Sequence, residues 1–247
     1  MIGGRQKKLV EDIHSNAYKY ESTHEFYPLA RQRIVLELIG HIKSDRKEFH
    51  HIIDIGSNNP GFPNALRKIF PEGDIKLIDI DRNRVKLLSE SGFDAMECDV
   101  SSEKLPFPDG YFDLVHAGEI IEHLYDTDFF LDEVKRVMKP NGIFILTTPN
   151  LAAWYNRILL LFFGIQPFHT EVSLDSYYGR YPFKKAGGRP VGHIHVFTAK
   201  AVKEMVSSKG FRVLKIRGYP VLEKNKLDRL ISHLPSWASG VIIILST

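Results

Sequence analysis

An α/β fold is predicted for this chain: a doubly wound parallel sheet with helices on both faces. Three observations predict it. Apolar, β-branched runs of strand length alternate along the chain with helix-length patterns. The length of 247 residues, with 43% hydrophobic and 26% charged residues, suits one α/β domain with a sizeable core and argues against disorder. Finally, Asp54, Asp79 and Asp99 fall at the ends of the first three strand-like runs, where open parallel sheets bind ligands.

The elements follow in order. Residues 1–40 read as a helical segment packed ahead of the first strand, 51–55, which ends at Gly56. A short helix spans 60–70, with Pro60 near its first turn, where a missing N–H costs nothing. Strand 74–80 precedes a charged helix at 82–89, and a third strand covers 93–100. A Pro- and Gly-rich turn at 106–110 leads into strand 112–117. The helix at 127–138 is expected to stop in a turn at 139–142, before strand 143–148. Residues 151–197 then break the rhythm with one apolar helical stretch, 152–163, and a loop rich in Tyr, Gly and Pro. A segment this long inside one domain is expected to be functional, here as a cover over an acceptor site. The pattern resumes with helix 199–209, strand 211–216 and a last strand at 241–245.

Composition bears on several classes. A net charge of +3 does not call for nucleic acid or an anionic membrane, and Arg5, Lys7 and Lys8 read as a solvated tail. Cys98 is the single cysteine, so neither an internal disulfide nor a cysteine zinc site is available. No apolar run is long enough to cross a bilayer, and Glu11 and Asp12 interrupt any leader-like core, so a cytoplasmic enzyme is expected.

The first strand-to-helix turn, Asp54-Ile55-Gly56-Ser57-Asn58-Asn59-Pro60-Gly61, lets backbone come close to a ligand at Gly56. Asp79 is placed for the two hydroxyls of a ribose, and Asp99 for an exocyclic amine, with the Val100 amide facing the ring. A nucleoside cofactor follows. NAD is compatible with a glycine turn followed by an acid, but Asn58 and Pro60 stand where a dinucleotide loop wants glycines. Pro60 has no N–H for a pyrophosphate, and a methionine moiety needs none.

Three linked stretches sharpen this reading. They are Leu105-Pro106-Phe107-Pro108-Asp109-Gly110-Tyr111-Phe112-Asp113-Leu114-Val115, then Glu119-Ile120-Ile121-Glu122-His123, then Glu133 through Gly142. With Thr147-Thr148-Pro149-Asn150 they resemble the class I S-adenosylmethionine-dependent methyltransferases, in the branch near ubiquinone-biosynthesis O-methyltransferases. The resemblance covers roughly residues 30–217. It implies a Rossmann-like sheet of seven strands, mostly parallel, with an antiparallel last strand. It also implies a cofactor-binding set of Asp54, Gly56, Ser57, Asn58, Asp79, Ile80, Asp99, Val100 and Ala117. The departure lies in the glycine loop, where Asn58 and Pro60 replace later glycines; Asn tolerates left-handed backbone better than most residues.

For the chemistry, Glu119, Glu122 and His123 share one face if they begin a helix after the fourth strand. His123 and Glu119 are then catalytic candidates, with His123 as a base. Glu119, Glu122, His123 and His193 are also candidate ligands for a divalent metal, and His195 stands beside the last of them. The spacing is similar to the metal site of small-RNA 3′-end 2′-O-methyltransferases. A purely structural role, in which Glu119 helps cap a helix and His123 packs, stays open beside both. Trp154, Tyr155, Phe162, Phe163, Phe168, Tyr177, Tyr178 and Tyr181 give residues 151–197 an aromatic character suited to a lipid-linked, isoprenoid or glycan acceptor. The continuous apolar run from Leu159 to Phe163 predicts a helix that is buried or covers an apolar pocket. Tyr177-Tyr178-Gly179-Arg180 and Lys184-Lys185 either meet an anionic group or form a solvated loop. The expected activity is O-methylation of a small, lipid-linked or glycan molecule. The alternatives are metal-dependent RNA 2′-O-methylation and cofactor binding without catalysis.

Overall fold

Strand β1 (His51–Ile55) runs through the middle of the sheet, and Ile52, Ile53 and Ile55 are fully buried. A parallel strand covered by helices on both faces needs apolar side chains in both directions, so its run does not alternate. The computed structural model describes residues 29–45, 49–173, 175–180 and 190–247. Helix α1 (Ala30–Asp45) precedes β1, and α2 (Gly61–Ile69), β2 (Asp74–Asp79), α3 (Arg82–Glu90) and β3 (Asp94–Glu97) follow it. Next come β4 (Phe112–Gly118), a short 3-10 turn (Ile121–His123), α4 (Thr127–Val137) and β5 (Met138–Pro149). The chain then forms α5 (Trp154–Phe163), α6 (Ala199–Ser208), β6 (Arg212–Tyr219), α7 (Lys226–Ile231) and β7 (Gly240–Ser246).

The seven strands form one sheet in the order β3-β2-β1-β4-β5-β7-β6, and β7 is antiparallel to both of its neighbours. Connection order reverses between β1 and β4, which opens a crevice at the carboxyl ends of these strands. Alternate strand residues face opposite layers. Ile53, Val115, Phe144 and Ile243 meet Phe130 and Val134 of α4 and Val202 of α6. Ile52, Leu77, Leu114 and Ile145 meet Val35 of α1, Leu66 of α2 and Leu88 of α3. Side-chain caps start α3, α4 and α6, where Asp81, Asp126 and Thr198 accept from Asn83, Phe129 and Ala201 N–H.

The structure departs from expectation at several places. The third strand has four residues, so Asp99 and Val100 lie in the turn beyond it. Asn141, with φ 61°, makes the tight turn expected at 139–142, but β5 already begins at Met138. Helix α1 extends past residue 40, while residues 1–28 lie outside the described residues, as do Tyr181, Lys184 and Lys185. Helix α7 had no counterpart in the sequence reading, because six residues give too little periodicity. Helix α5 buries only Asn156 and Leu159, which overturns the buried alternative for this helix. An apolar run shows that a helix is hydrophobic all round; it does not show that anything covers it.

Candidate active site

The crevice is built by the turn that follows β1. Gly56 has φ +82°, and its N–H and that of Ser57 both donate to Ile78 O, at 2.7 and 3.2 Å. A Cβ at Gly56 would meet Ile120 Cδ1 at 3.2 Å, so the backbone there is closely covered by the segment after β4. Asp79, at the end of β2, is buried and accepts one hydrogen bond at Oδ1, from Asp81 N–H at 2.9 Å. Its burial pushes the carboxyl up to about 6, offset in part by the nearby Arg84 guanidinium. Asp99 closes the next turn, where Ser101 N–H donates to Oδ1 and the Ser102 hydroxyl to Oδ2. Asp54, Asp79 and Asp99 thus all sit on the crevice side, with Ile80 and Val100 just beyond two of them and Ala117 buried on β4.

Asp54 is engaged inside the protein. Its Oδ2 accepts from the Ser57 hydroxyl at 2.5 Å, and its Oδ1 meets His116 Nδ1 at 2.6 Å. His116 sits opposite Asp54 in the register of β1 and β4, and its ring lies 4.6 Å from that of Phe62. Sequence reasoning missed this partner. The signal was present: Asp54 and His116 are polar residues interrupting two central apolar strands, and buried polar groups in adjacent strands must find one another.

The segment after β4 corrects the expected helix face. Glu119 has φ 56° and lies outside the 3-10 turn, so it does not share a helical face with Glu122 and His123. Strand alternation on β5 separates the two glutamates. Thr147 and Thr148 point to opposite faces, and their hydroxyls donate to Glu119 Oε1 at 2.9 Å and Glu122 Oε2 at 3.0 Å respectively. Glu119 also accepts from Tyr219 OH at 2.9 Å and lies 4.0 Å from Arg31. It therefore belongs to a polar network that includes Arg31 and Tyr219, which sequence reading did not connect. Burial, with the charge of Glu119 behind it, pushes the Tyr219 hydroxyl well above its usual range.

Glu122 is buried on the other side, and its Oε1 has no hydrogen-bond partner among the described residues. Burial first, and the charge of Glu119 second, push its carboxyl well above the usual range. The loop returning before α6 is fastened here: Ile194 N–H and His195 N–H both donate to Glu122 O, at 2.8 and 3.0 Å. Glu171 adds a second clamp by accepting from the N–H groups of Val191, Gly192 and His193. Together these bring His193 to His123, with ring centroids 4.8 Å apart. One ligand atom each from Glu122, His123 and His193 lies within 4.8 Å of the others. Glu119 is not part of that group, which corrects the four-residue set. A small pocket beside it is lined by Glu122, Thr148, His169, His193, His195 and Phe197, among others.

Both rings are held by carbonyls. His123 Nδ1 lies 3.1 Å from Gly192 O, and His193 Nδ1 lies 3.0 Å from His169 O. A carbonyl only accepts, so each Nδ1 carries the proton and each neutral ring has its lone pair on Nε2. His169 itself has φ 71°, an unusual backbone for a non-glycine residue, and this presents its carbonyl to His193. Arg180 is buried over the ring of Tyr177 at 4.4 Å, so the Tyr177-Tyr178-Gly179-Arg180 stretch is not a wholly solvated loop.

Comparison with known proteins fits this crevice. Residues 23–216 match the model of a family described as a methyltransferase domain, and the chain belongs to that family, within the class I S-adenosylmethionine-dependent methyltransferases. The chain is 26% identical over 185 residues to the ubiquinone/menaquinone biosynthesis C-methyltransferase UbiE of Bordetella avium, covering 69% of this chain and 72% of that one. A crystal structure of an S-adenosylmethionine-dependent methyltransferase from Archaeoglobus fulgidus superposes with a TM-score of 0.58 at 17% identity, covering 87% of this chain and 94% of that one. The (4+2)-cyclase SpnF superposes with 0.56 at 16%, covering 99% and 94%. These superpositions concern the fold. The protein is an S-adenosylmethionine-dependent methyltransferase, and the donor set suits that cofactor: a buried carboxylate with accepting capacity to spare, beside a glycine turn without a phosphate cradle.

Proposed function

We propose that the chain moves the methyl group of S-adenosylmethionine onto an oxygen of a small, lipid-linked or glycan acceptor, with His123 as general base. The cofactor supplies an electrophilic methyl on a sulfonium, and the protein's task is to position the acceptor in line with it. Asp79 takes the ribose hydroxyls, and Asp99 with the Val100 amide takes the adenine edge. Gly56, Ser57 and Asn58 flank the amino-acid end, braced by Asp54, while Ile80 and Ala117 line the crevice. The acceptor hydroxyl gives its proton to His123 Nε2 as the oxygen–carbon bond forms and the carbon–sulfur bond breaks. The observation that carries this assignment is the hold of Gly192 O on His123 Nδ1, which sets the tautomer of a base. Glu119, tied to Thr147 and Tyr219, positions the segment and touches no reacting atom in this reading.

The test is transfer of a radiolabelled methyl group into fractionated host extract, followed by identification of the labelled atom. Label on oxygen in a lipid, glycan or small-molecule fraction is the expected result. Label on carbon, the chemistry named for the UbiE relatives, would overturn the oxygen assignment while leaving methyl transfer intact.

A second reading is favoured by the Glu122, His123 and His193 group: a divalent metal that lowers the acceptor's pKa in place of a protein base. One carboxylate and two Nε2 lone pairs, each imidazole fixed through Nδ1 by a carbonyl, make a donor set suited to Zn²⁺ or Co²⁺. Cobalt titration of tag-free protein, followed by visible absorption, should then show one equivalent bound and none in His193→Ala. No cobalt band in the parent protein removes the metal. Chelator-sensitive label in RNA would favour 2′-O-methylation of RNA over the acceptors named above.

A further inference from the structure

Helix α5 and the segment from α7 to β7 are bolted together and leave an apolar surface outward. Trp154 N–H donates to Trp237 O at 2.9 Å, and Trp154 Nε1 donates to the buried Asp228 of α7 at 2.9 Å. The Arg157 guanidinium lies 4.3 Å from the Trp237 ring and donates to Ser236 O. Positions 154, 157, 158 and 161 follow helical spacing, so the α5 face that touches this segment continues outward to Leu161. Large side chains stand in solvent on both segments: Leu161 is 76% exposed, Phe162 71%, Leu230 68% and Leu234 58%. Scattered apolar residues need no explanation, but two adjoining segments of them do.

The exposed charges on the same two segments have one sign. Residues 154–164 contain Arg157 and no acid. Residues 224–239 carry exposed Lys224, Lys226 and Arg229, and their single acid, Asp228, is fully buried and bound by four donors. Exposed Leu and Phe side chains, a half-exposed Trp237 and cations without exposed acids are the make-up of a surface that sits in the headgroup region of an anionic bilayer. A second copy of the chain fits less well, because a two-fold contact sets this face against the same face of the other copy, which offers cations and no exposed acid from these segments to pair with them.

We infer that this α5–α7 face docks the protein onto an anionic phospholipid surface. It bears on the acceptor half of the proposed function, since a lipid-linked acceptor is met at such a surface, but docking is measured without turnover. Tag-free full-length protein should co-sediment with phosphatidylcholine vesicles containing phosphatidylglycerol and much less with phosphatidylcholine alone, and added salt should weaken it. The pair Leu161→Glu and Leu230→Glu should lower partition at least about tenfold by removing inserted side chains. Arg229→Glu should lower binding to the anionic vesicles specifically. Affinity for S-adenosylhomocysteine, measured by calorimetry, should stay unchanged in both variants, which separates lost docking from a damaged donor site. Equal partition of parent and Leu161→Glu/Leu230→Glu protein, or no binding to anionic vesicles, overturns the inference. So does a dimer in sedimentation velocity that the same substitutions dissolve.

Discussion

In the proposed reading, where Asp79 takes the ribose hydroxyls, its carboxyl, pushed up to about 6 by burial, couples donor binding to pH. Below that pH the free protein holds the proton, whereas ribose hydroxyls donate best to the ionised carboxylate. Binding therefore releases a proton, and affinity for S-adenosylhomocysteine should rise from pH 5 to about 6 and level off above it. Calorimetry across that range checks this, and Asp79→Asn should flatten the profile. Asp79→Ala should weaken binding by about 1–3 kcal/mol, because the hydroxyls lose a charged acceptor; unchanged affinity would remove Asp79 from the site. His116 offers a stability test at the same scale. Its replacement by Leu leaves Asp54 Oδ1 buried without its donor, at a cost of about 1–3 kcal/mol. A domain of this size then loses several degrees of melting temperature, and a melting curve identical to the parent's would show that the pair stabilises nothing.

Two carboxylates organise elements rather than chemistry. Asp228 ties α5, α7 and the start of β7 together through Trp154 Nε1, the Ser239 hydroxyl and the N–H groups of Val221 and Leu222. Asp228→Ala strands four donors in a buried place and should cost more than about 3 kcal/mol in denaturant unfolding. A loss below about 1 kcal/mol would mean that water replaces the carboxylate easily. Glu171 does the corresponding work for the returning loop. Glu171→Ala should raise amide exchange at Val191, Gly192 and His193 while leaving the sheet amides protected, because it frees a loop and opens no core. The same variant should lose any cobalt bound by Glu122, His123 and His193, whose convergence depends on that loop.

At the scale of the molecule, the crevice lies between layers that are themselves well packed, so donor binding should stabilise the fold by mass action rather than by remodelling it. Saturation at a hundredfold excess over Kd adds about 2.7 kcal/mol, which for a chain of this length raises the melting temperature by roughly 5–10 °C. A thermal scan with and without S-adenosylhomocysteine checks it, and Asp79→Ala should shrink the shift. The likeness to a (4+2)-cyclase as well as to methyltransferases shows why the sheet alone does not name a reaction.

The sequence by itself determined the seven strands, the longer helices and the place of the acids at the strand ends. Those depend on local signals, such as the apolar runs of β1 and β4, the glycine turn at Gly56 and acids at strand ends, and each is readable within a few residues. It also brought His193 toward the Glu122 and His123 segment as a candidate partner. Only the tertiary structure decided which glutamate faces which side, because that follows from the alternation of Thr147 and Thr148 on β5. The same holds for the Asp54–His116 pair, fixed by register between two strands 62 residues apart, and for Tyr219 on Glu119, 100 residues apart. The exposure of α5 was likewise decided only in three dimensions. Periodicity says which side chains a helix carries; only its neighbours say which of them water still reaches.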